Sequence, residues 1–393
     1  MKRGVHDLAL FGGDAAFLQP LYMGRPNTGD RKRLLDRLEW ALDNRWLTNG
    51  GPLVREFEQR IADLAGVRNC VATCNATAGL QLLLREAEVT GEVIMPSMTF
   101  VATAHAVRWL GLRPVFCDID PGTGCLDPKL VEAAVTPRTG AILGVHLWGR
   151  PSPVDELAAL AAEHGLKLFY DAAHALGCTS RQRPLGSFGD AEVFSFHATK
   201  VVNSFEGGGI VTDDDTRAER LRALHNFGLG HDGVGAGINA KMSEAAAAMG
   251  LTSLEGFADA VASNRANYEL YRQELTGLPG IRLIDYDPAE RNNYHYVIAL
   301  IDAGTTGLHR DLLLTLLRAE NVVAQPYFSP GCHQRDPYRT EHPVSLPHTE
   351  HLAEQVIALP TGPAVSREDI RRVCDIIRVA SAHGPRITAQ AGA

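Results

Sequence analysis

The sequence predicts an α/β protein: a large domain built on a mainly parallel sheet, followed by a smaller α+β domain. Three observations carry this. Between about residues 54 and 215, short apolar runs alternate with helix-like segments. The runs are apolar throughout, without polar alternation, as expected of strands buried on both faces between helices. Beyond residue 240 the alternation stops and helical periodicity dominates. A chain of 393 residues with 45% hydrophobic content is long enough for both units. The boundaries predicted are an N-terminal segment over 1–53 serving the active site and the small domain, a large domain over 54–250 and a small domain over 251–393.

In chain order, the first strand ends at Cys74 in CNATAGLQLLL and a helix opens near Thr77. EVIMP follows and leads into PSMTFVATAHA. RPVFCDI, GAILGVHLWG, LKLFYDA, AEVFSF and GGIVTDD supply further strands, with DPKLVEAAV and PVDELAALAAEH as intervening helices. The later region reads as one long helical stretch, SEAAAAMGLTSLEGFADAVASNRANYELYRQEL. After it come IRLID, NYHYVIALI, a helix around DLLLTLLRAE and a last helix near REDIRRVCDIIRVASA. The small-residue end ITAQAGA is expected to fray.

Charge excludes some partners. Lys plus Arg total 38 against 46 Asp plus Glu, a formal −8, so no overall basic field attracts nucleic acid or an anionic membrane. No signal-peptide-like or membrane-spanning apolar run is present. Seven scattered cysteines, an odd number in apolar surroundings, suit reduced thiols and a cytoplasmic setting. Cys70 and Cys74 lack nearby His or Cys support, so no metal site is expected.

Strand ends are where ligands bind in such sheets. FSFHATK places Lys200 just after an apolar strand and before a Gly-rich turn, where an amine is costly to bury unless paired or reactive. Asp171 closes LKLFYDA, 29 residues earlier; alone it reads equally well as a helix cap. Small residues near Thr77 at a helix start let backbone N–H groups reach a phosphate, although Asn75 or Thr77 also serves as a plain cap. Phe100, just past EVIMP, is either core or a cover for an aromatic ring. Amine, acid, phosphate seat and ring cover together are what pyridoxal 5'-phosphate (PLP) requires.

The ordered blocks WLTNGGPLVREFE, CNATAGLQ, PSMTFVATAHA, VHLWGRP, YDAAHALG, FSFHATK, EGGGIVT and GINAKMSEAAAAMG resemble the nucleotide-sugar aminotransferases called the DegT/StrS family. The resemblance implies a fold-type I PLP enzyme with a seven-stranded sheet. It implies that Lys200 forms the Schiff base, Asp171 partners the pyridine nitrogen and His174 lies beside the phenolic oxygen. It further implies that Phe100 stacks on the ring and that Ala76, Thr77 and Ser195 hold the phosphate. Asn239, from the neighbouring subunit of a homodimer with shared active sites, would join them. Thr48, Tyr327 and His333 fall in segments like the family's substrate-side loops, and Lys241, in the cross-subunit loop, stands at the position of a substrate-phosphate ligand.

Two positions depart from the family pattern. Asn75-Ala76-Thr77 stands for Ser-Gly-Thr, and Asn239-Ala240-Lys241 for Asn-Tyr-Arg. Sugar 3-dehydratases of the same fold carry histidine at the lysine position, and Lys200 argues against that activity. The resemblance implies L-glutamate as donor, pyridoxamine phosphate (PMP) as the amine-bearing cofactor form, and a keto-sugar nucleotide as acceptor. The opening YMGRPNTGDRKRLLDRLEWALDNRWLTNGGP resembles the subgroup that aminates dTDP-4-keto-6-deoxyglucose at C4 in deoxysugar biosynthesis. The alternatives are amination at C3, a non-catalytic PLP-binding regulator, or a PLP enzyme acting on amino acids alone.

Overall fold

The apolar runs become the strands of one sheet because alternate side chains of each strand are covered by helices on opposite faces. The computed structural model describes residues 2–231, 233–341 and 343–392. Among them the sheet has seven strands: β1 Asn69–Thr73, β2 Glu92–Pro96, β3 Arg113–Cys117, β4 Thr139–Val145, β5 Lys167–Asp171, β6 Ala191–Ser195 and β7 Gly208–Thr212. Their order across the sheet is β1-β7-β6-β5-β4-β2-β3, and all pairings are parallel except those of β7, which is antiparallel to both neighbours. In β5, Leu168 and Tyr170 join one apolar cluster while Phe169 joins another. In β6, Phe194 and Val193 divide in the same way.

The helices that matter for the site are α1 Arg31–Asp43, α2 Pro52–Ala65, α3 Ala76–Glu86 and α4 Val101–Trp109, followed by α5 Pro128–Ala134, α6 Val154–His164 and α7 Asp215–Leu224. Asn75 starts α3 by accepting the Ala78 N–H at 2.8 Å. The predicted long helical stretch is in fact two helices, α8 Glu244–Glu255 and α9 Phe257–Leu275, interrupted at Gly256. Gly carries the weakest helix propensity after Pro, and the break lets α8 lie on α1 and α2 while α9 turns to the C-terminal unit.

That second unit has a three-stranded antiparallel sheet of Ile281–Leu283, Val297–Ile301 and Val356–Leu359. The predicted helix Arg310–Ala319 packs beside it, as does Arg367–Ala382. The chain end departs from expectation. Gly384–Ala391 is helical rather than frayed, because Ile387 is fully buried in the same cluster. Val5, Leu8, Phe17 and Leu21 join that cluster too, and Leu21–Tyr22 pairs in parallel with Val322–Val323. The buried Glu320 carboxylate holds this N-terminal segment by accepting the N–H groups of Ala9 and Ala16, both at 2.7 Å, and by pairing with Lys2 at 2.9 Å. No described helix is long and apolar enough to cross a membrane. All seven cysteines are free thiols.

Candidate active site

Four strand ends converge on one cavity of about 250 Å³. β5 delivers Asp171 as its last residue, and β6 delivers Ser195 and, five residues later, Lys200. The junction after β1 brings Asn75 and the first residues of α3, Ala76 and Thr77, and the turn after β2 brings Thr99 and Phe100. His174 and Tyr327 also line the cavity. Eight of the expected residues, Ala76, Thr77, Phe100, Asp171, His174, Ser195, Lys200 and Tyr327, are therefore together.

Lys200 donates to the Tyr296 hydroxyl at 3.1 Å. Burial lowers its amine from the usual lysine value to about 8, against the opposing pull of the Asp171 carboxylate. Burial likewise raises the Asp171 carboxyl, opposed by hydrogen bonds from the Thr103 hydroxyl (2.7 Å) and the Ala173 N–H (3.1 Å) and by Lys200 and His146. Burial, helped by Lys200 and His295, pushes the His174 imidazole well below its ordinary value, so it is neutral at neutral pH. Trp148 adopts a left-handed backbone (φ 56°), and its N–H points to His174 Nδ1 at 3.2 Å. With Nδ1 accepting, the imidazole proton resides on Nε2.

Ala76 opens α3 and is not among the residues of positive φ, so its Cβ is tolerated where the family pattern has glycine. Close approach is instead achieved from the other side: a Cβ on Gly208 would lie 2.6 Å from the Ala76 nitrogen. Phe100 is 56% exposed and lies 5.8 Å, ring centre to ring centre, from Phe328. The Phe328 ring in turn stacks on His174 with planes 12° apart.

Four expected residues are elsewhere. Thr48 is exposed, and Asn239 is exposed in a bridge with Asn226. Lys241 donates to Asn226 Oδ1 at 2.7 Å and sits over the Phe227 ring, outside this chain's cavity. His333, expected at the sugar, is buried with both ring nitrogens engaged: Nδ1 with Ser97 Oγ at 2.6 Å and Nε2 with Glu350 at 3.2 Å. It has no ring nitrogen left to offer a ligand. Replacing it, His333→Ala, removes the ring partner of the Ser97 hydroxyl, which keeps only the backbone N–H of residue 333, and is expected to cost about 1–3 kcal/mol, seen as a lower thermal midpoint, while KM for both substrates is unchanged. A raised KM with an unaltered midpoint would return His333 to the substrate site.

Tyr296, Thr103, Trp148 and Phe328 were missed. Thr103 had a signal, since it lies one turn after Phe100 and four residues after Thr99 at a helix start. Tyr296 and Phe328 come from the C-terminal unit and had none.

A sequence profile described as the DegT/DnrJ/EryC1/StrS aminotransferase family matches residues 29–378. A "dTDP-4-amino-4,6-dideoxy-D-glucose transaminase" of Escherichia coli is 34% identical over 361 residues, covering 90% of this chain and 96% of that one. The crystal structure of DesI in the presence of its TDP-sugar product superposes with a TM-score of 0.97 at 61% identity, over 99% of this chain and 100% of that one. S. venezuelae DesV, solved in complex with a ketimine intermediate, superposes with a TM-score of 0.83 at 32% identity, over 91% of this chain and 99% of that one.

Proposed function

The chain belongs to the DegT/DnrJ/EryC1/StrS aminotransferase family, and from that premise we propose that it uses PLP to move the amino group of L-glutamate to C4 of dTDP-4-keto-6-deoxy-D-glucose, giving dTDP-4-amino-4,6-dideoxy-D-glucose. The observation that carries this reading is the convergence of the Lys200 amine, the Asp171 carboxylate and the N-terminus of α3 on one cavity. The choice of sugar leans on the 61% identity with DesI and on the name of the Escherichia coli relative.

The residues fit the cofactor. A helix N-terminus free of Cβ crowding at Gly208 suits a phosphate, with Thr77 and Ser195 as hydroxyl donors. Asp171 provides a buried acid for a ring nitrogen, and Phe100 an exposed aromatic face. When bound, the cofactor supplies the aldehyde that accepts the amino group and the ring that takes up the electron pair of the broken C–H bond. The protein's part is proton handling. Lys200 Nζ, whose pKa burial lowers to about 8, would carry the proton from the α-carbon of glutamate to the cofactor in the first half of the reaction and from the cofactor to C4 of the sugar in the second. Asp171 keeps a proton on the ring nitrogen. His174, whose Nδ1 accepts the Trp148 N–H, would offer its Nε2 proton to the cofactor's phenolic oxygen.

The test is incubation with PLP, glutamate and a panel of keto-sugar nucleotides, with mass and NMR analysis of the products. The 4-amino sugar and 2-oxoglutarate are the expected pair. Turnover confined to a 3-keto sugar would move the reaction to C3, and glutamate left unconsumed with every sugar would favour a regulator.

Asn239 and Lys241 take part, in this reading, from the neighbouring subunit of a homodimer. Phe227, Leu229 and Ile238 on the same loop are 55%, 65% and 45% exposed, apolar surface suited to a partner. Mixing Lys200→Ala and Asn239→Ala subunits is then expected to restore activity, because in a two-fold dimer one site receives both lesions and the other neither. With random exchange about half the dimers are mixed. Activity that stays at the sum of the parents after proven exchange would confine Asn239 to its own chain.

A further inference from the structure

The floor of the cavity contains a hydroxyl relay outside the roles given above. Asp171 is buried, and its Oδ2 accepts the Thr103 hydroxyl at 2.7 Å. A hydroxyl has one proton to give. The Phe100 carbonyl, 3.0 Å from the same oxygen, competes for it. A carboxylate is the stronger acceptor, since charge-assisted bonds are shorter and roughly twice as strong as neutral ones. Once committed to Asp171, the Thr103 oxygen accepts in turn, and the Thr99 hydroxyl lies 2.8 Å away to donate. Both threonines are buried, Thr103 completely. Helix α4 thus carries Phe100 at its cap and Thr103 on its first turn, so one turn of helix sets both the ring cover and the acid.

Resting on the PLP reading above, we propose that Thr103 is a positioning residue for transamination: oriented by Thr99, its hydroxyl fixes the Asp171 carboxylate and keeps it ionised, so that the ring nitrogen stays protonated. The charged or titratable groups acting on Asp171 are Lys200 and His146, and behind His146 stands Glu192 at 3.0 Å. Lys200 supports the carboxylate only while its amine is positive. Of the remaining supports, the Thr103 bond is the strongest opposing the burial that favours the neutral acid.

The experiment uses holoenzyme reconstituted with PLP labelled with 15N in the ring, whose chemical shift separates protonated from neutral nitrogen. Wild type is expected to be protonated at neutral pH. Thr103→Val should move the ring-nitrogen titration to lower pH by an amount equivalent to about tenfold or more in protonation equilibrium, and kcat of the glutamate half-reaction should fall with little change in KM. Thr103→Ser should restore both, and Thr99→Val should move them in the same direction by less. If valine prevents folding, Thr103→Ala, better suited to a helix interior, carries the same test. A Thr103→Val enzyme with the wild-type nitrogen titration overturns the proposal while leaving the site reading intact. A neutral ring nitrogen in wild type, or no binding of the labelled cofactor, overturns the site reading instead.

Discussion

Lys200→Ala is expected to abolish transamination outright and to remove the visible absorbance of bound cofactor, because among the described residues of this chain no other lysine lines the cavity. Borohydride, which fixes PLP on the lysine that holds it, should label wild type at Lys200 and leave the variant unlabelled. Turnover of glutamate by the variant, or a label on another lysine, would refute the assignment. The fold is expected to survive. In the cofactor-free protein the exchange should even be favourable at neutral pH. The folded amine titrates at about 8 and the unfolded one at 10.5, so between these values the unfolded state holds more protons and stability rises with pH. The penalty for burying the charged amine is full below about 8 and gone above 10.5. The thermal advantage of the alanine variant should therefore be largest below about 8 and shrink as the pH is raised, which a series of melting curves would show.

Asp171→Asn should bind PLP and fail at chemistry. The amide keeps the size and can still accept a hydrogen bond from Thr103, but it has no negative charge to hold a proton on the ring nitrogen. A half-reaction slower by about two to three orders of magnitude is expected, in the range seen when a preorganised electrostatic contact is removed. Stopped-flow mixing with glutamate measures it directly. A rate near that of wild type would reduce Asp171 to the role of receiving the Ala173 N–H, a local cap and no more.

The large sheet was legible because strands buried on both faces cannot hide: Leu168, Phe169 and Tyr170 must all be apolar when neighbours cover each side. Lys200 and Asp171 were legible for the converse reason, as ionisable groups ending such runs. The break at Gly256 was visible as a letter, but helical periodicity on both sides masked its effect. A loop histidine such as His333 looks the same in sequence whether it faces a ligand or, as in this fold, Ser97 and Glu350. Tyr296 reaches Lys200 from 96 residues away, a meeting that depends on how the two sheets dock and that no local pattern encodes.

The parallel pairing of Leu21–Tyr22 with Val322–Val323 also sets a timetable for biosynthesis. About 300 residues separate the partners, so at roughly 5–20 residues per second a ribosome needs on the order of 15–60 s to supply the second after the first. The large sheet can assemble in that interval from residues 69–212. Val5, Leu8, Phe17 and Leu21 have to wait in solvent or on a chaperone until the strands and helices of the C-terminal cluster emerge, and the nascent chain is most exposed to aggregation during that wait.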